Sequence, residues 1–311
     1  MKKFLFSAVA VATVLSLSSC SNDSEGSAVL TTPILAYNLY TPLGQDGQVS
    51  VSPVRYSFIT TYPEATITVS TDNMSIPNGT IGSFTTVPMS YTTKSVEMDD
   101  KYSREILTFS NADPHNIGAE ITNLSCVLTQ AVYSFDDIKV PGYSRLVPGR
   151  TLHYVVMQYD LNKTWRVRTF WPDMTFVGST YMGDAVASAP DENKDMAYRV
   201  IMAQEKGALS GKADIILYNA SFEKDAAPVE VMVLKNLEVK FDVNGYVVSG
   251  NNITVQTVQK IDDKDSLVDN PGYKFNKFSL RCSGNMTGAT ADYELNGTLK
   301  GNFTGTSALL Q

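Results

Sequence analysis

The sequence predicts an all-β protein: two tandem antiparallel domains, each a β-barrel or a β-sandwich. Three observations carry this. Apolar and polar residues alternate with period two along much of the chain, as in half-buried strands. Turn formers, chiefly Gly and Asn-Gly, fall between the alternating runs. No stretch shows the apolar period of an amphipathic helix. The 311 residues suit two domains better than one, and a 43% hydrophobic content is ample for a core and too high for a disordered chain.

In the first half, the alternating runs are 54–61, 65–70, 105–109, 124–132, 152–159 and 164–171. The second half carries runs at 213–218, 229–234, 237–243 and 275–282. Asn244-Gly245 separates the run 237–243 from Tyr246-Val247-Val248, which predicts a hairpin with a type I′ turn. Residues 293–305 alternate most clearly and read as one closing strand, with Tyr293, Leu295, Leu299 and Phe303 on one face. Gly297, Gly301 and Gly305 share that face, where they would let the strand bend or approach a bulky neighbour. Residues 182–197 tolerate a helix best, but Pro190 interrupts them, so they read as a loop or linker. The expected boundaries are a signal peptide at 1–19, a flexible tether at 20–32, an N-terminal β domain at 33–182, a linker at 183–196 and a C-terminal β domain at 197–311. Residues 65–69 resemble 213–217, and 176–180 resemble 303–307. A duplication with its boundary near 180–196 is one explanation; chance likeness between strands is the other.

Lys2 and Lys3 precede an apolar stretch from Phe4 to Leu17 that is too short to span a bilayer and suits a signal peptide. The stretch ends Leu17-Ser18-Ser19-Cys20, which resembles the lipobox of bacterial lipoproteins at every position. That resemblance implies acylation of Cys20 and cleavage before it; an ordinary signal peptide cut near Ser19 is the alternative. Several acyl chains, at ~0.8 kcal/mol per buried CH₂, would hold the protein durably on a membrane. No later stretch has about 18 unbroken apolar residues. The polar segment Ser21-Asn22-Asp23-Ser24-Glu25-Gly26-Ser27 reads as a flexible tether. It also resembles the acidic surface-export signal of Bacteroidota lipoproteins, although Asp23 and Glu25 are not adjacent. The expected location is therefore the outer membrane, lipid-anchored, with cell-surface exposure as an extension of the same reading.

The C-terminal third resembles the calycin-like (lipocalin-like) barrel domains of Bacteroidota lipoproteins. The likeness rests on the ladder from 213–219 to 229–243, the Asn244-Gly245-Tyr246 turn and the closing run from Tyr293. It implies a barrel that holds a small apolar ligand.

Candidate chemistry is sparse. A formal charge of −7 argues against a general nucleic-acid binder. Cys126 and Cys282 share faces with apolar neighbours and read as buried thiols, with a disulfide as the other reading. His115 and His153 lie far apart in sequence and belong to no metal motif. Gly207-Ala208-Leu209-Ser210-Gly211-Lys212-Ala213 misses the P-loop spacing and reads as a hairpin turn. The acidic pairs Asp99-Asp100, Asp136-Asp137 and Asp262-Asp263 cannot each form a carboxylate pair across a sugar, because strand neighbours point to opposite faces. Residues 262–270 read as a solvated loop or a weak Ca²⁺ site. Within them, Asp265-Ser266-Leu267 resembles the O-glycosylation sequence of secreted Bacteroidota proteins, which makes Ser266 a candidate. Trp165 and Trp171 are the candidate ligand or partner contacts if exposed; otherwise they fill a core while Arg166 and Arg168 face water. No catalytic residue, metal ligand or cofactor is expected. The expectation is a non-enzymatic, lipid-anchored binding or scaffold protein with a small apolar ligand in a barrel. The alternative is a surface structural protein that binds a glycan or a partner lipoprotein.

Overall fold

The computed structural model describes residues 28–308, apart from 45–47, 73, 77–78, 82, 100–101, 132–139, 144–151, 190–195 and 224–225. The signal peptide, Cys20, Asp100, Asp136-Asp137 and Pro190 lie outside the described residues. Those described form twenty-two strands and no α-helix.

The first sheet is built from β1 (Ala28–Pro42), β2 (Ser50–Tyr62), β3 (Thr66–Thr71), β6 (Phe84–Thr86), β7 (Met89–Ser90), β8 (Thr92–Asp99), β9 (Tyr102–Asn111), β10 (Asn116–Gly118), β11 (Ile121–Ala131), β12 (Leu152–Leu161) and β13 (Trp165–Phe170). Their order is β10-β6-β3-β2-β1-β13-β12-β11-β9-β8, with β7 beside β3; β4 (Met74–Ile76) and β5 (Gly79–Ile81) form a separate hairpin. The sheet curls into a half-barrel around Tyr56, Phe58, Phe84, Phe109 and Tyr159. Cys126 lies in this core as a free thiol.

The second sheet holds β14 (Asp173–Met182), β15 (Ala185–Ser188), β16 (Ala197–Glu205), β17 (Ala208–Ala220), β18 (Val229–Asp242), β19 (Gly245–Ile261), β20 (Lys264–Ser283), β21 (Gly288–Leu295) and β22 (Leu299–Ser307). Each of β16 to β22 pairs with the next, and β22 returns to β14. Eight antiparallel strands thus close into a barrel, which removes the exposed edges of an open sheet. At the closing seam Gly178 pairs with Gly305. A Cβ on Gly178 would sit 2.0 Å from the Thr304 carbonyl oxygen, so the two strands meet only because this position lacks a side chain.

The domain boundary differs from the sequence expectation. The chain passes from half-barrel to barrel at Trp171-Pro172, and residues 173–188 already belong to the barrel. The start of the expected linker, 183–188, is instead the turn and outer strand of a barrel hairpin. The segment read as tether also shortens, because β1 begins at Ala28 and pairs with β2 from there. Residues 176–180 and 303–307 are neighbours across the barrel seam, so they cannot be equivalent positions in two repeats.

Three local readings change as well. Residues 293–305 are a hairpin: Asn296 (φ 52°) and Gly297 (φ 75°) turn the chain between β21 and β22. Gly301 and Gly305 meet the Tyr293 and Phe303 rings, the close approach expected of them. The turn at Asn244-Gly245 exists but is shifted by one residue. Asp242 pairs with Gly245 around Val243-Asn244, and of these four only Gly245 (φ 141°) has a positive φ. Residues 262–270 are no loop: Asp262 (φ 49°) and Asp263 (φ 58°) form a tight turn, and β20 starts at Lys264.

The two units share packing. Tyr37, Leu39, Val156 and Phe170 leave the half-barrel on the face away from its own core and join the barrel's apolar cluster. They cover the barrel end that carries the β16–β17 and β18–β19 turns. Phe170 lies 5.7 Å from Phe241 and 6.0 Å from Tyr246, ring centroid to centroid.

Candidate functional site

The barrel interior is occupied by its own side chains. Phe176, Tyr198, Tyr246, Phe275, Phe278 and Phe303 are fully buried. The Tyr198 ring stacks on Phe303 at 3.9 Å and 6°. Towards the end opposite the half-barrel, Phe222 lies edge-on to Phe275 and Tyr293 at 5.5 and 5.1 Å. Aromatic rings contribute large buried areas, and these pairs have favoured geometries, so the interior is built as a core. Cys282 belongs to it, and burial pushes its thiol up to about 12, which leaves it without thiolate character at neutral pH. Burial likewise pushes the Cys126 thiol up.

The outer wall is different. Between β18 and β19 the ladder runs Met232↔Thr257 and Val233↔Gln256, then resumes only at Glu238↔Ser249. Leu234–Leu237 therefore face Gly250–Val255 across an opened seam. Two bulges cause it, at Asn236 (φ 59°) and Asn252 (φ 53°), the residue type that best tolerates a left-handed backbone. Asp214 of β17 holds the first bulge: its Oδ1 accepts the Asn236 N–H at 2.8 Å, and its Oδ2 accepts the Tyr143 hydroxyl at 2.8 Å. The opening forms a groove of about 670 Å³.

Four carboxamides are part of its lining: Asn236, Asn251, Asn252 and Gln256. Lys235, Glu238 and Asp269 add charges of both signs. Leu237 and Ile253 form the floor, their side chains converging over Gly250, where a Cβ would lie 3.1 Å from one and 3.3 Å from the other. Gln256 donates from Nε2 to Asp269 Oδ1 at 2.8 Å, while its buried Oε1 has no partner in the protein.

Sequence reading missed this site. Its trace was there, because Lys235-Asn236 splits the alternating runs 229–234 and 237–243. The structure joins the two runs into the single strand β18.

The sequence-predicted contacts lie elsewhere. Trp165 is half-buried in the half-barrel core, edge-on to Tyr40 at 6.4 Å. Trp171 packs against both cores at the crossover and is edge-on to Tyr154 at 6.0 Å. They form no exposed aromatic platform. Arg166 and Arg168 do not simply face water either. Arg166 makes a two-point bond to Asp160 at 2.9 and 3.1 Å, and Arg168 Nη1 donates to the Val243 carbonyl of the barrel at 3.0 Å. Ser266 sits half-buried in β20, opposite Gln259. His115 is exposed between β9 and β10, whereas His153 belongs to β12. Among the described residues, no group of three His, Cys, Asp or Glu side chains converges as a metal site.

No protein-family model, no curated protein and no solved structure matches the chain.

Proposed function

We propose that this protein is a lipid-anchored, non-enzymatic envelope lipoprotein of the outer membrane that engages its ligand or partner on the outer wall of its barrel. One observation carries the choice between inside and outside. The axis of the barrel is filled by fully buried rings, while its wall opens a groove of about 670 Å³, a size typical of binding sites. In this reading the half-barrel is the base from which the barrel is presented. Its first strand, β1, follows directly on the anchoring segment. The anchor itself rests on Leu17-Ser18-Ser19-Cys20.

Native mass spectrometry on protein extracted from its own envelope tests both parts. The expected mass carries acyl chains at Cys20 and no second, non-covalent apolar molecule. Release of such a molecule only on unfolding would place the ligand inside the barrel and overturn the outer-wall reading. Unchanged acylation of a Cys20→Ser variant would overturn the anchor.

A further inference from the structure

We infer that the groove between β18 and β19 binds a neutral, polyhydroxylated chain, namely a segment of an uncharged oligosaccharide. The inference rests on the outer-wall reading above and names its ligand class. A carboxamide offers one acceptor and two donors in a plane, which matches sugar hydroxyls, each both donor and acceptor. Four such groups, Asn236, Asn251, Asn252 and Gln256, line one groove. Gln256 is held at the groove wall by its own bond from Nε2 to Asp269 Oδ1 at 2.8 Å, which fixes the plane of its carboxamide. Ile253, half-buried over the core residue Leu237, supplies an apolar contact for the C–H face of a sugar ring. The charges do not select an anion: Glu238 and Asp269 oppose Lys235, and Lys240 lies 3.5 Å from Glu238. A peptide strand is matched less well. The bulges at Asn236 and Asn252 interrupt both walls, so neither offers the continuous extended edge that strand addition needs.

Affinity electrophoresis of the full mature chain in mild detergent, through gels containing dextran, mannan, xylan or galactan, tests this. Polygalacturonate serves as the anionic control, and a library of extended decapeptides is screened in parallel. At least one neutral polymer should retard the protein. Asn251→Ala should weaken that retardation about tenfold, and Ser249→Trp, which fills the groove, should abolish it. The bound polymer should also protect the exposed Lys235 amine from acetylation, a readout on the unmutated chain that does not depend on how the variants fold. No retardation by any neutral polymer overturns the inference. So does retardation insensitive to both variants, unchanged Lys235 acetylation, or binding confined to polygalacturonate or peptide. These failures would leave a ligand-free barrel intact, whereas a trapped apolar molecule would sink the outer-wall reading itself.

Discussion

The Tyr37 hydroxyl of β1 lies 2.9 Å from the Gly207 carbonyl oxygen and 3.1 Å from Gln204 Oε1, so the half-barrel's first strand is tied to the barrel's β16–β17 turn. On the neighbouring strand, Arg168 reaches the Val243 carbonyl, and Phe170 packs against the barrel rings Phe241 and Tyr246. The two units share one apolar cluster across this contact.

Shared packing of this kind makes the two units unfold together. Urea unfolding followed by tryptophan fluorescence, which reports the half-barrel and the crossover, should coincide with unfolding followed by far-ultraviolet circular dichroism. Phe170→Ala should cost about 3–5 kcal/mol and separate the two curves. Two resolved transitions in the unmutated protein would refute the coupling.

Two buried tyrosines should respond oppositely to loss of their hydroxyls. The Tyr56 and Tyr159 hydroxyls are 2.8 Å apart in a network that also holds Asn38, Thr169 and Met74. Tyr159→Phe strips a partner from buried polar atoms and should cost about 1–3 kcal/mol. The Tyr198 hydroxyl is buried in the barrel without a hydrogen bond, so Tyr198→Phe should be neutral or stabilising. Thermal midpoints of the two variants decide it; a large loss for Tyr198→Phe would mean that this hydroxyl has a partner.

Closure depends on the seam. Gly178→Ala forces a Cβ against the Thr304 carbonyl, where only backbone could yield. It should destabilise by about 1–3 kcal/mol or more, as overpacking does. Faster amide exchange should concentrate in β14 and β22. A variant with unaltered stability and exchange would show that the strands do not meet as described.

Acid should weaken the half-barrel through Asp160. Burial pushes its carboxyl up, but the Arg166 fork and the Asn123 amide outweigh this and hold it below the ordinary carboxylate value. A depressed folded-state value contributes stability that is complete above the unfolded value of about 3.9 and is lost as pH falls through the lower folded one. The stability gap between the unmutated protein and Asp160→Asn should therefore be full at pH 7 and shrink below about pH 4. A gap that stays constant under acid would count against the pairing.

Half-buried strands were legible because their alternation is local. β3, β9, β11, β12, β13, β17 and β20 all overlap runs read from period two. β1 escaped because Ala36, Asn38 and Tyr40 face one core while Tyr37 and Leu39 face the other, so Ile34-Leu35-Ala36-Tyr37-Asn38-Leu39-Tyr40 does not alternate. The same double burial explains Trp165 to Phe170. Trp165 and Val167 do turn inward as the face pattern implied, yet on the opposite face Arg168 and Phe170 meet the barrel.

By itself, the sequence determined that the protein is all-β, that it divides in two, and where many of its strands and turns fall. Tertiary structure alone decided that the second sheet closes while the first stays open, that the crossover is Trp171-Pro172, and that the carboxamides of two strands share a groove. The physical reason is range. A strand's periodicity is written in neighbours two residues apart, whereas closure pairs Phe176 with Ser307. Such pairings depend on which distant edges meet, and that is settled by the packing of the whole sheet.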